Sequence, residues 1–206
     1  MTHKLINMTV SFNNTTLVLG SGSPRRQQFF KDMGFEVLIR LKEVEEFYPP
    51  SLKAKEIPLF LAKLKAQALV GSLAAHELLI TSDTIVWNQG QALGKPKNVE
   101  QAIEMLSSMS EGSHKVFTAV CFHYQGKQTH CIQETKVTFS RLSLEEITFY
   151  VNHFKPFDKA GGYGIQEWIG LIGISAIKGN YNNVVGLPTE LVYQELKKIL
   201  GTPKLN

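Results

Sequence analysis

Apolar positions along this chain alternate between two textures. Short apolar runs read as strands: residues 16–19 (TLVL), 35–41 (FEVLIRL), 78–87 (LLITSDTIVW), 114–124 (HKVFTAVCFHY), 129–142 (THCIQETKVTFSRL) and 172–179 (IGISAIKG). Between them lie segments of helical spacing. The first covers residues 25–33 and stops at Gly34; the second opens at Pro58 and runs to about His76. Asn98 is placed to cap a helix ending near Met109, and Ser143 caps another with Glu146 as its capping-box partner. The closing segment, residues 187–200 (LPTELVYQELKKIL), is amphipathic. Residues 114–124 and 129–142 form an antiparallel pair around Gly126, whereas the other strands are joined through helices. This mixture predicts an α/β fold with a mixed twisted sheet and flanking helices.

One junction stands out from that pattern. The strand at residues 16–19 ends in Gly20-Ser21-Gly22-Ser23, followed at once by Pro24 and a helix. Ser23 suits the N-cap and Pro24 the first helical position. The free N–H groups of such a terminus attract anions. Arg25 and Arg26 occupy the first turn, where cations are disfavoured unless a polyanion sits there. The guanidinium fork suits phosphate. The stretch is read as a phosphate-binding strand–loop–helix corner, although it is neither a P-loop nor a complete GxGxxG fingerprint.

Composition narrows the picture modestly. The 206 residues are 43% hydrophobic and 19% charged, as in an ordinary soluble globular protein. Net charge is +4, which suits an anionic ligand but comes without a basic block of the nucleic-acid-tail kind. Cys121 and Cys131 flank the hairpin turn and are expected to be thiols. Residues 1–14 read as a polar extension without a signal-peptide core, ahead of a single domain over residues 15–201. The expected location is cytoplasmic, with no membrane partner.

Several residues could carry chemistry. Asp83 lies inside the apolar run Ile80-Thr81-Ser82-Asp83-Thr84-Ile85-Val86, where an unpaired carboxylate is costly. Lys65 sits on a helical stripe with Leu61, Ala62, Ala68 and Leu69. Lys95 is held extended by Pro96. The cations would hold a triphosphate, while Glu46 and Asp83 would hold a divalent metal or activate water. Gly161-Gly162-Tyr163-Gly164 implies a close backbone approach, and Gln166 offers both a donor and an acceptor to a base edge. Trp168 could stack on a base or pack beneath the loop. No GxSxG is present, and the six histidines show no zinc spacing.

Taken in order, the blocks LGSGSPRR (19–26), Glu45-Glu46, LAKLKA (61–66), SDTIV (82–86), GKP (94–96), HKVFTAV (114–120), DKAGGYGIQ (158–166) and NNVVGLP (182–188) resemble the Maf family of nucleoside triphosphate pyrophosphatases. The similarity covers roughly residues 17 to 200. It implies a fold similar to the inosine triphosphatase group, two lobes around a cleft, and hydrolysis between the α and β phosphates. It also implies Asp83 as base, with Arg25, Thr84 and Gln166 at positions tied to substrate choice. Ser21, Arg25, Arg26, Lys65 and Lys95 match phosphate contacts, and Glu46 and Asp83 match contacts to Mg²⁺ or Mn²⁺. The AG-x-Y-x-IQ pattern resembles the dTTP/UTP branch, in which glycine usually follows the Gln; here Glu167-Trp168 follows. Alternatives are action on 7-methyl-GTP or another modified nucleotide, and a non-catalytic nucleotide-binding or nucleic-acid-binding regulator of cell division. The expected partner is the nucleoside triphosphate substrate, without a stable nucleic-acid partner; a homodimer is left open.

Overall fold

The fold is built around one long strand that changes neighbours part-way along. The structure is a computed structural model and describes residues 9–12 and 14–205. The strand is β4 (Glu77–Asn88), in chain order after β1 (Val10–Ser11), β2 (Thr16–Leu19) and β3 (Val37–Ile39). β5 (Gln91–Leu93), β6 (Ser113–Tyr124), β7 (Lys127–Phe139), β8 (Ile174–Lys178) and β9 (Lys204–Leu205) follow. The main sheet has seven strands in the order β3-β2-β4-β6-β7-β8, with β5 also paired to β4. β2 runs parallel to β3 and β4; the other pairings of the sheet are antiparallel. This is the mixed sheet expected from crossovers combined with a hairpin.

On the edge of β4 opposite β6, β2 pairs as far as Leu19 with Ile80, and β5 begins only at Val86 with Leu93. Residues 81–85 on that edge have no strand partner. β2 stops there because Gly20 turns the chain away after donating to the Ile80 carbonyl at 2.8 Å. The break falls on Ser82-Asp83-Thr84.

Helices cover both faces of the sheet, and the period of two along β4 decides what each residue meets. Leu79, Thr81, Asp83 and Ile85 face α2 (Glu56–Val70), and Leu79 packs with Ala62, Ala66 and Leu69. The Thr81 hydroxyl donates to the Ala62 carbonyl at 2.7 Å. On the opposite face, Leu78 and Ile80 pack with α1 (Pro24–Asp32) and α7 (Thr189–Leu200) through Phe30, Val192 and Leu196. Further along, Val86 belongs to a separate apolar cluster under α3 (Val99–Met109) and α4 (Leu144–Phe154). Ser82, Thr84, Thr118 and the fully buried Asn183 of α6 (Tyr181–Val185) separate the two clusters. Apolar packing on each side of a polar belt is the physical basis of the two lobes.

Local signals are reproduced closely at several boundaries. Asn98 accepts from the Gln101 N–H at 2.9 Å, and Ser143 and Glu146 form both halves of the capping box. α2 ends at Val70 instead of continuing to His76, because Ser72 takes the Leu69 carbonyl with both its N–H and its hydroxyl. Residues 9–12 depart from the polar-extension reading. Val10 and Phe12 are each 5% exposed, Phe12 stacks on Phe35 with ring centres 5.7 Å apart, and β1 pairs antiparallel with β9. Residues 1–8 and 13 of that segment lie outside the described residues. Both cysteines are free. The register pairs Val120 with Cys131 and Cys121 with His130, so the two thiols sit on opposite faces of the sheet. Among the described residues no helix is long and apolar enough to cross a membrane.

Candidate active site

The break in β4 opens into a cleft of about 1090 Å³. Seven basic and five acidic side chains line it, so a polyanion would meet a net positive wall. Its deepest carboxylate is Asp83, 7% exposed, which β-alternation turns toward α2. Lys65 lies on the covered face of α2, one turn beyond Leu61 and Ala62. Its ammonium donates to Asp83 Oδ1 at 2.6 Å and also bridges to Glu46 Oε1 at 2.8 Å. A buried strand carboxylate and one from an exposed loop therefore share a single cation.

Depth separates these two acids. Burial pushes the Asp83 carboxyl above the usual carboxylate range, against the opposing pull of Lys65 and Arg26. Glu46, with 46% of its side chain exposed, ends below that range. Its burial effect is outweighed by the Lys65 hydrogen bond and the nearby charges of Lys65, Lys95 and Arg26. Asp83 Oδ2 has no protein donor among the described residues.

The strand–loop–helix corner divides its two arginines. Arg26 is drawn inward: Nε donates to the Gly186 carbonyl at 2.9 Å, and Nη1 to the Ser82 carbonyl at 3.0 Å and Ser21 Oγ at 3.3 Å. Nη2 donates to Thr84 Oγ1 at 3.0 Å. Ser82 lies two residues past Ile80, so its carbonyl points along the same vacated edge of β4. Arg26 thus supplies a donor that β2 no longer provides. Arg25 turns outward to Asp158 Oδ2 at 2.9 Å and keeps 31% of its side chain exposed. Ser23 occupies the N-cap position with extended backbone, but its hydroxyl makes no capping bond. The first-turn N–H groups therefore take no bond from that side chain, and residues 20–26 line the cleft.

A model of the family described as Maf-like protein matches residues 16–199. The chain belongs to the Maf family. Its relatives include a Flavobacterium johnsoniae protein named dTTP/UTP pyrophosphatase, 55% identical over 184 residues, or 89% of this chain and 95% of that protein. Proteins of the same name from Flavobacterium psychrophilum and Bacteroides fragilis are 56% and 46% identical, covering 88% and 93% of this chain and 93% and 100% of theirs. Among solved structures, the Staphylococcus aureus Ham1 protein aligns with 88% of this chain and 100% of its own at 15% identity, with a TM-score of 0.47.

In this Maf-family chain the nine residues expected at phosphate, metal, catalytic and specificity positions line one cleft: Ser21, Arg25, Arg26, Glu46, Lys65, Asp83, Thr84, Lys95 and Gln166. Their states differ. Lys95 is exposed and makes no ion pair among the described residues. Gln166 is also exposed, with no hydrogen-bond partner for its amide among them. Thr84 faces the polar belt, where Oγ1 meets Arg26 and lies 2.9 Å from Thr118 Oγ1. Trp168 does not line the cleft; it packs edge-on against Phe149 with ring centres 5.0 Å apart.

The supports of the Gln166 loop were not legible as such. Tyr163 is buried, and its hydroxyl lies 2.7 Å from His114 Nε2. Gly161, at φ +70°, would drive a Cβ to 2.9 Å from a Val86 methyl, which explains the glycine there. Lys159 bridges Asp158 Oδ1 at 2.7 Å and Glu167 Oε1 at 3.0 Å. The blocks HKVFTAV and DKAGGYGIQ contain His114, Asp158, Lys159, Gly161 and Tyr163, but nothing in their spacing reveals that they meet.

Proposed function

We propose that this chain hydrolyses dTTP and UTP to the monophosphate and pyrophosphate. The carrying observation is the buried Asp83 carboxylate, set in the break of β4 and lining one cleft with the open corner at residues 20–26 and the free amide of Gln166. The names of the relatives agree with this reading.

In the proposed reaction the triphosphate lies along the corner. Its charge is met by the first-turn N–H groups of α1, by Arg25 swinging from Asp158, and by Lys95. Arg26 holds Ser82 and Thr84 in place, and so fixes Asp83 between them. The raised affinity of Asp83 for a proton suits it to accept one from the water that attacks the α-phosphorus. Lys65 orients that carboxylate and neutralises charge as pyrophosphate leaves. Gln166, which lines the same cleft, faces the base, where an amide matches the imide N–H and carbonyl of uracil or thymine.

A divalent cation fits this donor set. Asp83 and Glu46 offer hard carboxylate oxygens around a position already served by a cation, the Lys65 ammonium. Among the described residues no group of three or more His, Cys, Asp or Glu side chains is placed to hold a metal. Asp83 and Glu46 would therefore hold Mg²⁺ or Mn²⁺ together with phosphate oxygens. When bound, the ion supplies neutralisation of the phosphate charge. The cytoplasm is the proposed compartment.

The test is pyrophosphate release from a nucleotide panel, with and without Mg²⁺ or Mn²⁺. The expected result is the highest kcat/KM for dTTP and UTP, with release dependent on metal. Preference for 7-methyl-GTP or a purine overturns the base assignment and leaves pyrophosphate release standing. Binding without release by the intact protein overturns the enzymatic reading.

A further inference from the structure

Gln166 faces the cleft with an amide that no protein group holds, so only its backbone can fix where that amide stands. The backbone is held by a closed ring. The Gly164 N–H donates to the Tyr150 hydroxyl oxygen at 3.0 Å, and the Tyr150 O–H donates in turn to Glu167 Oε2. The Glu167 N–H completes the ring by donating to the Gly164 carbonyl at 3.0 Å. Ile165 and Gln166 are the two residues inside it.

The ring is compact and anchored from several directions. Tyr150 is fully buried on α4, and burial together with the Glu167 hydrogen bond pushes its phenol far above the usual range, so it remains a donor. Ile165 is 6% exposed and pins the loop to the core beside it. The Glu167 carboxylate folds back over Gly164 so closely that a Cβ there would lie 2.8 Å from its carboxyl carbon. Its other oxygen takes Lys159, which takes Asp158, which takes Arg25. The same carboxylate thus fastens the base side of the cleft and joins it to the phosphate corner.

We propose that Glu167 is a positioning residue that fixes the Gln166 loop, and that discrimination among pyrimidine nucleotides depends on it. This rests on the dTTP/UTP reading. Uracil and thymine present an imide N–H between two carbonyls; cytosine presents an acceptor nitrogen beside an amino donor. A Gln amide can rotate to satisfy either edge. Selection against cytosine therefore requires that the amide be held where only one orientation serves, and the ring restricts that freedom. Glu167→Ala opens the ring; Glu167→Gln keeps an acceptor for Tyr150 while losing the ion pair with Lys159.

The experiment measures kcat and KM for dTTP, UTP, dCTP and CTP on wild type, Glu167→Ala, Glu167→Gln and Tyr150→Phe, with amide hydrogen exchange over residues 163–168. In Glu167→Ala the dTTP-to-dCTP selectivity should fall about tenfold, mainly through KM, as expected when a polar reader loses its position. Tyr150→Phe, which removes one oxygen, should reproduce the loss, and Glu167→Gln should restore most of the selectivity. Exchange should quicken in the first and third variants only. Unchanged selectivity in Glu167→Ala, an equal loss of kcat for all four nucleotides, or unchanged exchange overturns the proposal. Wild type that releases no pyrophosphate from dTTP or UTP removes the activity reading and with it the selectivity claim; the exchange arm then decides whether Glu167 holds the loop.

Discussion

Two walls of the cleft are built by different means. At the wall proposed for phosphate, residues 20–26 supply a turn, an open helix N-terminus and two arginines from one contiguous segment. At the wall proposed for the base, the loop of residues 158–167 depends on Tyr150, His114 and Gly94, the last accepting from the Gly161 N–H at 2.9 Å. The difference follows from the two tasks. An anion is attracted by donors and a dipole that any strand–helix corner offers locally. In the proposed reading a base is met by one amide whose position must be held, and holding it takes contacts from distant elements.

Asp83 lines the same cleft, and Asp83→Asn should have the largest effect. Asn keeps the volume but can neither accept the proton nor serve well as a metal ligand, so turnover should fall at least ~10²-fold. Circular dichroism should show an unchanged fold. Turnover near wild type at matched metal would remove Asp83 from the reaction.

The next prediction separates the adjacent arginines. Arg26→Ala withdraws a half-buried guanidinium from two carbonyls and two hydroxyls, and urea unfolding should show a stability loss of about 3 kcal/mol. Arg25→Ala removes only a partly exposed pair with Asp158 and should cost less than about 1 kcal/mol in the same measurement. Its effect should appear in catalysis, as a KM for dTTP raised about tenfold, the low end for a charge-assisted phosphate contact. Lys95→Ala should behave like Arg25→Ala, and Lys197→Ala on α7 should change neither quantity. Equal destabilisation by Arg25→Ala and Arg26→Ala would abolish the division of labour within the corner.

Acid tests the base end. His114 is buried, and desolvation lowers its pKa from the ordinary 6.5 to about 4. The unfolded chain therefore binds this proton at higher pH than the folded one. The associated stability is complete above pH 6.5 and drains away as pH falls toward 4. At pH 5 about 2 kcal/mol should be gone, read as a lower urea midpoint than at pH 7. Among the described residues the only polar partner of the ring is the Tyr163 hydroxyl, and Phe139 lies against it with ring centres 5.3 Å apart. His114→Gln should flatten the acid limb. An unchanged slope would mean that His114 is not what the acid titrates.

The smallest effect is expected at Gln166. Gln166→Glu removes the amide donor and should narrow the preference for dTTP over GTP by about tenfold or less, measured as a ratio of kcat/KM. A preference that survives intact would place base reading elsewhere in the cleft.

Much of the frame was legible in sequence because its causes are local. The strand of residues 16–19, the caps at Asn98 and Ser143, the hairpin around Gly126 and the amphipathic closing helix each rest on neighbours within a few positions. Val10 and Phe12 were less legible, because two apolar residues in a polar segment carry no period, and their place depends on Phe35 and on β9. Asp83 could be singled out because a carboxylate in an apolar run conflicts with its surroundings. The site residues could be gathered because a family pattern orders them, but their individual states could not be read that way.

The sequence by itself determined that this chain forms an α/β sheet with a strand–loop–helix corner carrying two arginines and a carboxylate inside an apolar strand, since propensity, capping and period act over short stretches. Only the tertiary structure decided that β2 leaves β4 before β5 joins it, so that Asp83 stands in a gap. It also decided that Arg26 fills the gap while Arg25 faces out, and that Glu167 and Tyr150 close a ring around the cleft-lining Gln166. Each of these depends on contacts between residues far apart in the chain, where the partner is set by packing and not by spacing.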